Sequence, residues 1–353
     1  MERETIIAGA GLSGLTAALS LARQGRRVRV LEAGERIGGS RSYVDSSYLD
    51  PEALKRSLGV DIRPALSPWG LTRAWVYGEK HEFAPPSRVP AYTIERGRGK
   101  NSLEKILYRA VKDAGVPVEL GVRLTPEQLL ALPGGSILAT GLDRWSFGAL
   151  GIPSRPFYCH MATGKGVPGR PDVIIYLDRF TREFGYYFQA GNKAGALVFD
   201  VVSPMTPEGK LAFKQRLWEN DGIRFENWDD RLAETASWPL GSFSNRRLFA
   251  RGKILAGTLS GAVSPVLVFG VLGALVSGGI AAQAVDDPEG AKRRFARLMP
   301  LYFPQMAFRR IRENAPHALL KPLCRGLVKT YHPRYFPWLM MFAAWPVGLG
   351  RES

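Results

Sequence analysis

Thr5-Ile6-Ile7-Ala8-Gly9-Ala10-Gly11-Leu12-Ser13-Gly14 is the stretch that decides the fold. Its four leading apolar residues suit a short buried parallel strand. Leu12–Gln24 then carries Leu15, Leu19 and Ala22 at helical spacing, and Gly25 stops the helix. Arg26–Leu31 alternates Val28 and Val30 with arginines and reads as a second strand that ends at Glu32. Between strand and helix, Gly9 permits a tight turn, Gly11 lets the backbone approach a pyrophosphate, and Gly14 lets helix and strand pack closely. Free N–H groups at the helix start would face the phosphates. Glu32 lies 23 residues beyond Gly9. A carboxylate there accepts hydrogen bonds from ribose hydroxyls and repels an additional phosphate. The unit points to a dinucleotide site.

Working outward, the 353 residues favour two lobes over one small domain. With 45% apolar and 23% charged residues, the composition excludes a disordered chain or a coiled coil. Cys159 and Cys324 are the only cysteines, too few for a disulfide scaffold or a four-thiolate zinc site. The net charge is +16, but eleven Lys/Arg against Glu313 alone fall between Ala291 and Tyr335. Such a concentrated excess argues against a nucleic-acid-coating protein. Thr5–Ala22 is uncharged, yet Glu2 and Glu4 are wrong for a signal peptide. Ile254–Val285 is uncharged too, but its glycines, alanines and Pro265 make it a poor membrane span and a better buried segment.

Further elements read as a strand at Tyr92–Arg96, a helix at Ser102–Ala114, and strands at Val116–Leu120 and Ser136–Ala139, the last running into Thr140-Gly141. Pro51–Pro90 is irregular and yields no element. Asp172–Leu177, Glu183–Gln189 and Gly195–Val202 are β-rich, with a hairpin turn at Gly191-Asn192. If Glu183–Gln189 is a strand, Tyr186 and Phe188 share one face and Tyr187 takes the other.

Glu32-Ala33, the pair Gly38-Gly39, Ser40 and Arg41 resemble the glutathione-reductase-like superfamily of FAD proteins. There the glycine pair lies near the pyrophosphate and an arginine pairs with it. Tyr92–Arg96 with Leu103, Ala110 and Gly115, then Ala139-Thr140-Gly141, and Gly257-Thr258-Leu259-Ser260-Gly261-Ala262-Val263-Ser264-Pro265 with Gly270, resemble its geranylgeranyl-reductase-like branch. The resemblance touches roughly residues 5–41, 92–141 and 254–285. It implies FAD as cofactor, held by Gly9, Gly11, Leu12, Ser13, Gly14, Glu32, Ala33, Gly38, Gly39, Ser40, Arg41, Arg96, Thr140, Gly141, Gly257, Thr258 and Gly270. It also implies a helix starting near Pro265 whose N-terminal dipole faces the flavin ring.

Two positions depart from the branch. Thr258 replaces an aspartate that accepts a hydrogen bond from the ribityl chain, so a charge-assisted bond becomes a neutral one. Val268-Phe269-Gly270 replaces a Gly-x-Gly, and Phe269 either crowds the flavin or stacks on substrate.

The expected architecture is α/β: a Rossmann-like FAD-binding lobe (1–150 with 240–290), an inserted β-rich substrate lobe (151–239) and a helical, basic C-terminal cap (291–353). The resemblance implies an FAD-dependent oxidoreductase acting on a small apolar, isoprenoid or lipid-like substrate by hydride transfer at flavin N5. A non-catalytic prenyl or lipid carrier with a degenerate flavin site is the alternative, and a nicotinamide-only enzyme is a third reading. The electron donor and the catalytic residues cannot be named from sequence. The histidines, His81, His160, His317 and His332, show no metal-ligand spacing, and Cys159 and His160 point to opposite faces of a strand. The cap alternates arginines with aromatics and prolines, which reads either as a docking surface for an anionic membrane or as an intramolecular cap. A cytoplasmic protein, peripheral on a membrane, is the corresponding expectation.

Overall fold

The computed structural model describes residues 4–39, 41–85, 91–169, 172–230, 232–239, 247–298 and 302–329. One six-stranded sheet runs Phe249–Ala250, Lys253–Leu255, Ile137–Leu138, Thr5–Ala8, Val28–Glu32, Val118–Leu120. Its neighbours are parallel except for the hairpin formed by the first two. Thr5–Ala8 has a later strand on each side, so chain order reverses there. In an open parallel sheet that reversal leaves a crevice beyond the carboxyl ends of the strands.

The helix Leu12–Arg23 packs between Leu103–Asp113 and Val271–Gln283. Its contact with the latter is backbone to backbone. A side chain at Gly278 would stand 2.4 Å from the Ser13 carbonyl oxygen, so only glycine permits the approach.

A second, seven-stranded sheet runs Trp228–Asp229, Tyr158–Lys165, Lys193–Asp200, Gly185–Ala190, Val173–Leu177, Thr72–Val76, Glu79–Phe83. The expected hairpin closes at Gly191-Asn192, with Ala190 opposite Lys193 and Gly191 at φ +58°. Tyr186 and Phe188 share a face, with ring centroids 4.7 Å apart, and Tyr187 is buried on the other. The last two strands come from the stretch between Pro51 and Pro90, which the sequence left unread, so part of 1–150 belongs to the β-rich sheet. That stretch also holds the helix Pro51–Leu58 and the strand Leu66–Pro68. The latter joins Ser42–Tyr48 and Ala91–Gly97 in a three-stranded sheet. Asp221, at the end of the helix Pro207–Asp221, is fully buried and ties this helix to the larger sheet. It accepts from Trp75 Nε1 at 2.9 Å, from Tyr176 Oη at 2.5 Å and from Arg73.

The uncharged segment forms the strand Lys253–Leu255, a turn of 3₁₀ helix at Gly257–Ser260, a loop, and the helix Val271–Gln283. Among the described residues no helix is long and apolar enough to cross a membrane. Among the described residues the cap comprises the helices Pro288–Arg297, Tyr302–Asn314 and His317–Lys329. Its aromatic end, with Trp338 and Trp345, lies outside the described residues.

Candidate active site

The parallel register brings three turns together beyond the strand ends. Gly9 donates to the Leu31 carbonyl at 2.7 Å, Ala139 to Ala8 at 2.8 Å, and Ala256 to Leu138 at 2.9 Å. Gly9 (φ +105°) needs its missing side chain, because a Cβ would lie 2.4 Å from the Ala139 carbonyl oxygen. Gly14 is tighter still, at 1.9 Å from the Gly9 carbonyl oxygen. A Cβ on Gly257 would lie 2.6 Å from Ser13 Oγ. Gly11 and Gly141 differ, since a Cβ on either meets no protein atom within 4 Å. Both therefore border open space, and Gly141, at φ +67°, also needs glycine for its backbone.

Leu12–Arg23 begins at Gly11 with no side chain capping its first N–H groups, and Val271–Gln283 begins the same way at Gly270. These are two helix ends with donors to offer an anion. Glu32 closes the cleft with both oxygens engaged, accepting from Ala10 N at 2.6 Å and Gly34 N at 2.7 Å. The carboxylate is thereby held in one orientation and keeps lone pairs for a ribose. Thr140 Oγ1 is buried with no hydrogen-bond partner among the described residues. Thr258 is half-buried, and its Oγ1 lies 4.0 Å from the position a Gly270 Cβ would take.

Other expected residues are held by contacts of their own. Gly38 (φ +80°) packs on the Gly97 carbonyl, and Gly97 on that of Arg41, which accounts for glycine at both places. The Arg41 side chain pairs with Asp229 of the β-rich sheet at 2.6 Å. Arg96 donates to Glu104 at 2.7 Å and to Asp45 at 3.0 Å, and lies over the Tyr43 ring. Burial pushes the Asp45 carboxyl up and Arg96 opposes it. Arg96 therefore braces the strand beneath the Gly38 turn. Leu12 and Ser13 form the first turn of the helix, and Ala33 follows Glu32 in the loop. Ser40 lies outside the described residues.

The helix expected near Pro265 starts at Val271. Val268 explains the delay, since its φ of +64° is incompatible with a right-handed helix. Ser264 instead closes a loop, accepting from Val268 N at 3.0 Å and donating to Phe269 O at 3.1 Å. A β-branched residue in this region is strained. Val268→Gly is expected to raise stability by about 1 kcal/mol, the relief being larger than the extra chain entropy glycine brings. Urea denaturation checks the sign, and a loss of stability would mean the valine side chain holds the loop.

The far side of this loop walls an apolar chamber bounded by the seven-stranded sheet, the strand Ser42–Tyr48 and the last two cap helices. Val266, Leu267 and Phe269, packed with Tyr48 and Trp69, line it together with Val173, Ile175, Leu177 and Tyr186. Phe269 packs on Tyr48 with ring centroids 5.7 Å apart, and Tyr48 on Trp69 at 5.4 Å, so Phe269 is part of the wall. Ser46 Oγ and Trp69 Nε1, both in the lining residues, are buried donors without a partner among the described residues. Burial first, then Cys324 and Asp178, push the Tyr77 hydroxyl in the same wall up to about 12.

Residues 7–59 match the family model of an NAD(P)-binding Rossmann-like domain. No curated protein matches the chain. Among solved structures, it is similar to a geranylgeranyl bacteriochlorophyll reductase-like protein from Thermoplasma acidophilum. That match has 15% identity and a TM-score of 0.69 over 92% of this chain and 90% of the other. The p-nitrophenol 4-monooxygenase PnpA from Pseudomonas putida aligns at 13% identity and a TM-score of 0.64, covering 97% and 98%. PqsL from Pseudomonas aeruginosa, described as "a probable FAD-dependent monooxygenase", aligns at 17% and 0.61, covering 97% and 100%. The fold is theirs: α/β with a Rossmann-like lobe and a second sheet.

The chamber was not legible in the sequence. Phe269 and Tyr186 were singled out there, but Ser46, Trp69 and the cap residues that line it were not. Cys159 is buried in the core, and burial pushes its thiol up, which leaves it inert. His160 sits on the opposite face, stacked on Trp228 and 2.7 Å from Asp230, and burial pulls its pKa down. Among the described residues, no group of three His, Cys, Asp or Glu is placed to hold a metal ion.

Proposed function

We propose that the chain is a flavin-dependent oxidoreductase that holds FAD in the glycine-walled cleft and an apolar substrate in the chamber. The observation that carries this reading is the loop Ser264–Phe269. Its residues wall the chamber, and it leads into Gly270, where the second uncapped helix starts beside Thr258. A dinucleotide seated on Gly9–Gly14 with its ribose on Glu32 would reach this loop with its ring end. The residues fit such a group: Gly11 and Gly141 leave space, Thr140 Oγ1 waits for a partner, and two helix N-termini offer donors. When bound, the flavin supplies two-electron redox chemistry that no side chain can. The protein's own part is to bind and orient. Backbone N–H groups after Gly11 hold the pyrophosphate, Glu32 the ribose, and the apolar wall excludes water. Ser46 and Trp69 offer hydrogen bonds to a polar atom of the substrate near the ring.

The resemblance to the geranylgeranyl-reductase-like branch and the fold shared with a protein described as FAD-dependent support the cofactor. Purified protein is expected to take up FAD and show a flavin spectrum. Thr258→Asp, which restores a charge-assisted acceptor, is expected to tighten FAD by about tenfold, or 1.4 kcal/mol. Protein that stays colourless with excess FAD and shows no thermal shift would remove this reading. It would favour the carrier, for which Thr258 in place of a carboxylate is the supporting observation.

A further inference from the structure

The helix Tyr302–Asn314 turns charge inward. Its buried face consists of Tyr302, Gln305, Met306, Arg309, Arg312 and Glu313. Arg309 is fully buried. It donates to Glu183, to Glu313 at 2.8 Å and to the Pro265 carbonyl at 2.8 Å, which fixes the cap to the flavin-side loop. Arg312, 8% exposed, gives one terminal nitrogen to the other oxygen of Glu183. The second Glu313 oxygen is shared by Arg155 at 3.0 Å and Arg310 at 3.4 Å. Arg182 donates to the carbonyls of Glu313 at 3.2 Å and Ala315 at 2.9 Å. Asp200 accepts from the Arg182 backbone N–H and from Thr181 Oγ1. Five guanidiniums (Arg155, Arg182, Arg309, Arg310, Arg312) thus converge with three carboxylates (Glu183, Glu313, Asp200), a balance that remains positive.

Of these arginines, Arg182 and Arg312 line the chamber. The carboxylates in its wall are already committed: Glu183 to two arginines, and Asp178 to Arg216 at 3.1 Å. Arg312 Nε is buried in that wall without a hydrogen-bond partner among the described residues. A guanidinium donor left unmet in an apolar wall is costly, and an anionic acceptor removes the cost.

We propose that the chamber binds an anionic amphiphile, with its apolar body along Ile175, Leu177, Phe269 and Leu320 and a carboxylate or phosphate head on Arg312. This rests on the chamber being the substrate site and narrows the substrate to acids with an apolar chain or ring. It also gives the basic cap an internal use, because Arg309 and Arg312 are withdrawn from any surface.

The test is calorimetric titration of the full chain, with and without FAD, using decanoate, decyl phosphate and 1-decanol. At least one anion is expected to bind about tenfold more tightly than the alcohol, the scale of one charge-assisted bond. The ratio of the two anions identifies the head group. Arg312→Gln is expected to erase that preference and leave the alcohol unchanged, while Arg312→Lys keeps part of it. If Arg312→Gln fails to melt cooperatively, Arg182→Gln, whose guanidinium bonds only carbonyls, serves instead and should lower the preference. Equal binding of alcohol and anions by the parent, or equal loss of both in the variants, overturns the proposal. The FAD titration separates the two readings: anion preference without FAD uptake keeps this inference and removes the flavin enzyme. FAD uptake without anion preference does the reverse.

Discussion

Gly11→Val is expected to cut FAD affinity by about 100-fold or more, some 2.7 kcal/mol, while stability stays within about 1 kcal/mol of the parent. The asymmetry follows from where the new side chain would go. Gly11 has φ −77° and ψ −173°, a conformation any residue adopts, and a Cβ there meets no protein atom within 4 Å. The conflict is therefore with the pyrophosphate alone. Three residues on, Gly14→Val would drive its Cβ into the Gly9 carbonyl oxygen, 1.9 Å away, and is expected to cost about 3 kcal/mol or more of stability. A flavin fluorescence titration paired with urea denaturation on both variants separates the effects. Gly11→Val protein that binds FAD like the parent would show that the cofactor does not lie along this turn.

Asp221→Ala carries the largest stability effect expected outside the cleft, about 3–5 kcal/mol. Its carboxylate is fully buried and is the common partner of Arg73, Trp75 Nε1 and Tyr176 Oη. Alanine leaves two neutral donors without an acceptor and a guanidinium, 12% exposed, with only Glu82. Because Arg73 and Trp75 lie on one strand and Tyr176 on its parallel neighbour, the loss would loosen the packing of the helix Pro207–Asp221 on the face of the sheet opposite the chamber. A denaturation midpoint within about 1 kcal/mol of the parent would mean that water replaces the carboxylate without penalty.

How much was legible depended on whether the cause was local. The turn Gly9–Gly14 could be read because the strand, the glycine spacing and the helix lie within one short unit, although the contact that requires Gly9 itself comes from Ala139, far along the chain. The hairpin at Gly191-Asn192 follows from its turn residues and the split faces of Tyr186 and Tyr187 from strand alternation, both local. The strands Thr72–Val76 and Glu79–Phe83 were missed because what secures the first is a partner a hundred residues away, Val173–Leu177. A local signal was there in Tyr77-Gly78, both at positive φ, as a two-residue hairpin turn requires. A tyrosine in that position conceals it. The cap arginines, Arg309 and Arg312 among them, stayed open between a membrane-docking surface and an intramolecular cap because composition cannot tell which helical face a guanidinium takes. The signal was positional: Tyr302, Met306 and Arg309 recur at spacings of four and three, so the arginine extends an apolar stripe. Val268 delayed a helix that Pro265 would ordinarily begin, since nothing in a valine announces a left-handed backbone.

The order of strands in the first sheet has a consequence for how the chain matures during synthesis. Lys253–Leu255 is the last parallel strand to be made, yet it sits beside Ile137–Leu138, one place from Thr5–Ala8. Until residue 255 has left the ribosome, the partly built sheet keeps an open edge at Ile137–Leu138, and the turn at Gly257 that meets Ser13 does not exist. Long-range pairing of this kind is slow and exposes apolar strand edges while it waits. A chain truncated before residue 253 is therefore expected to aggregate rather than persist as a free lobe.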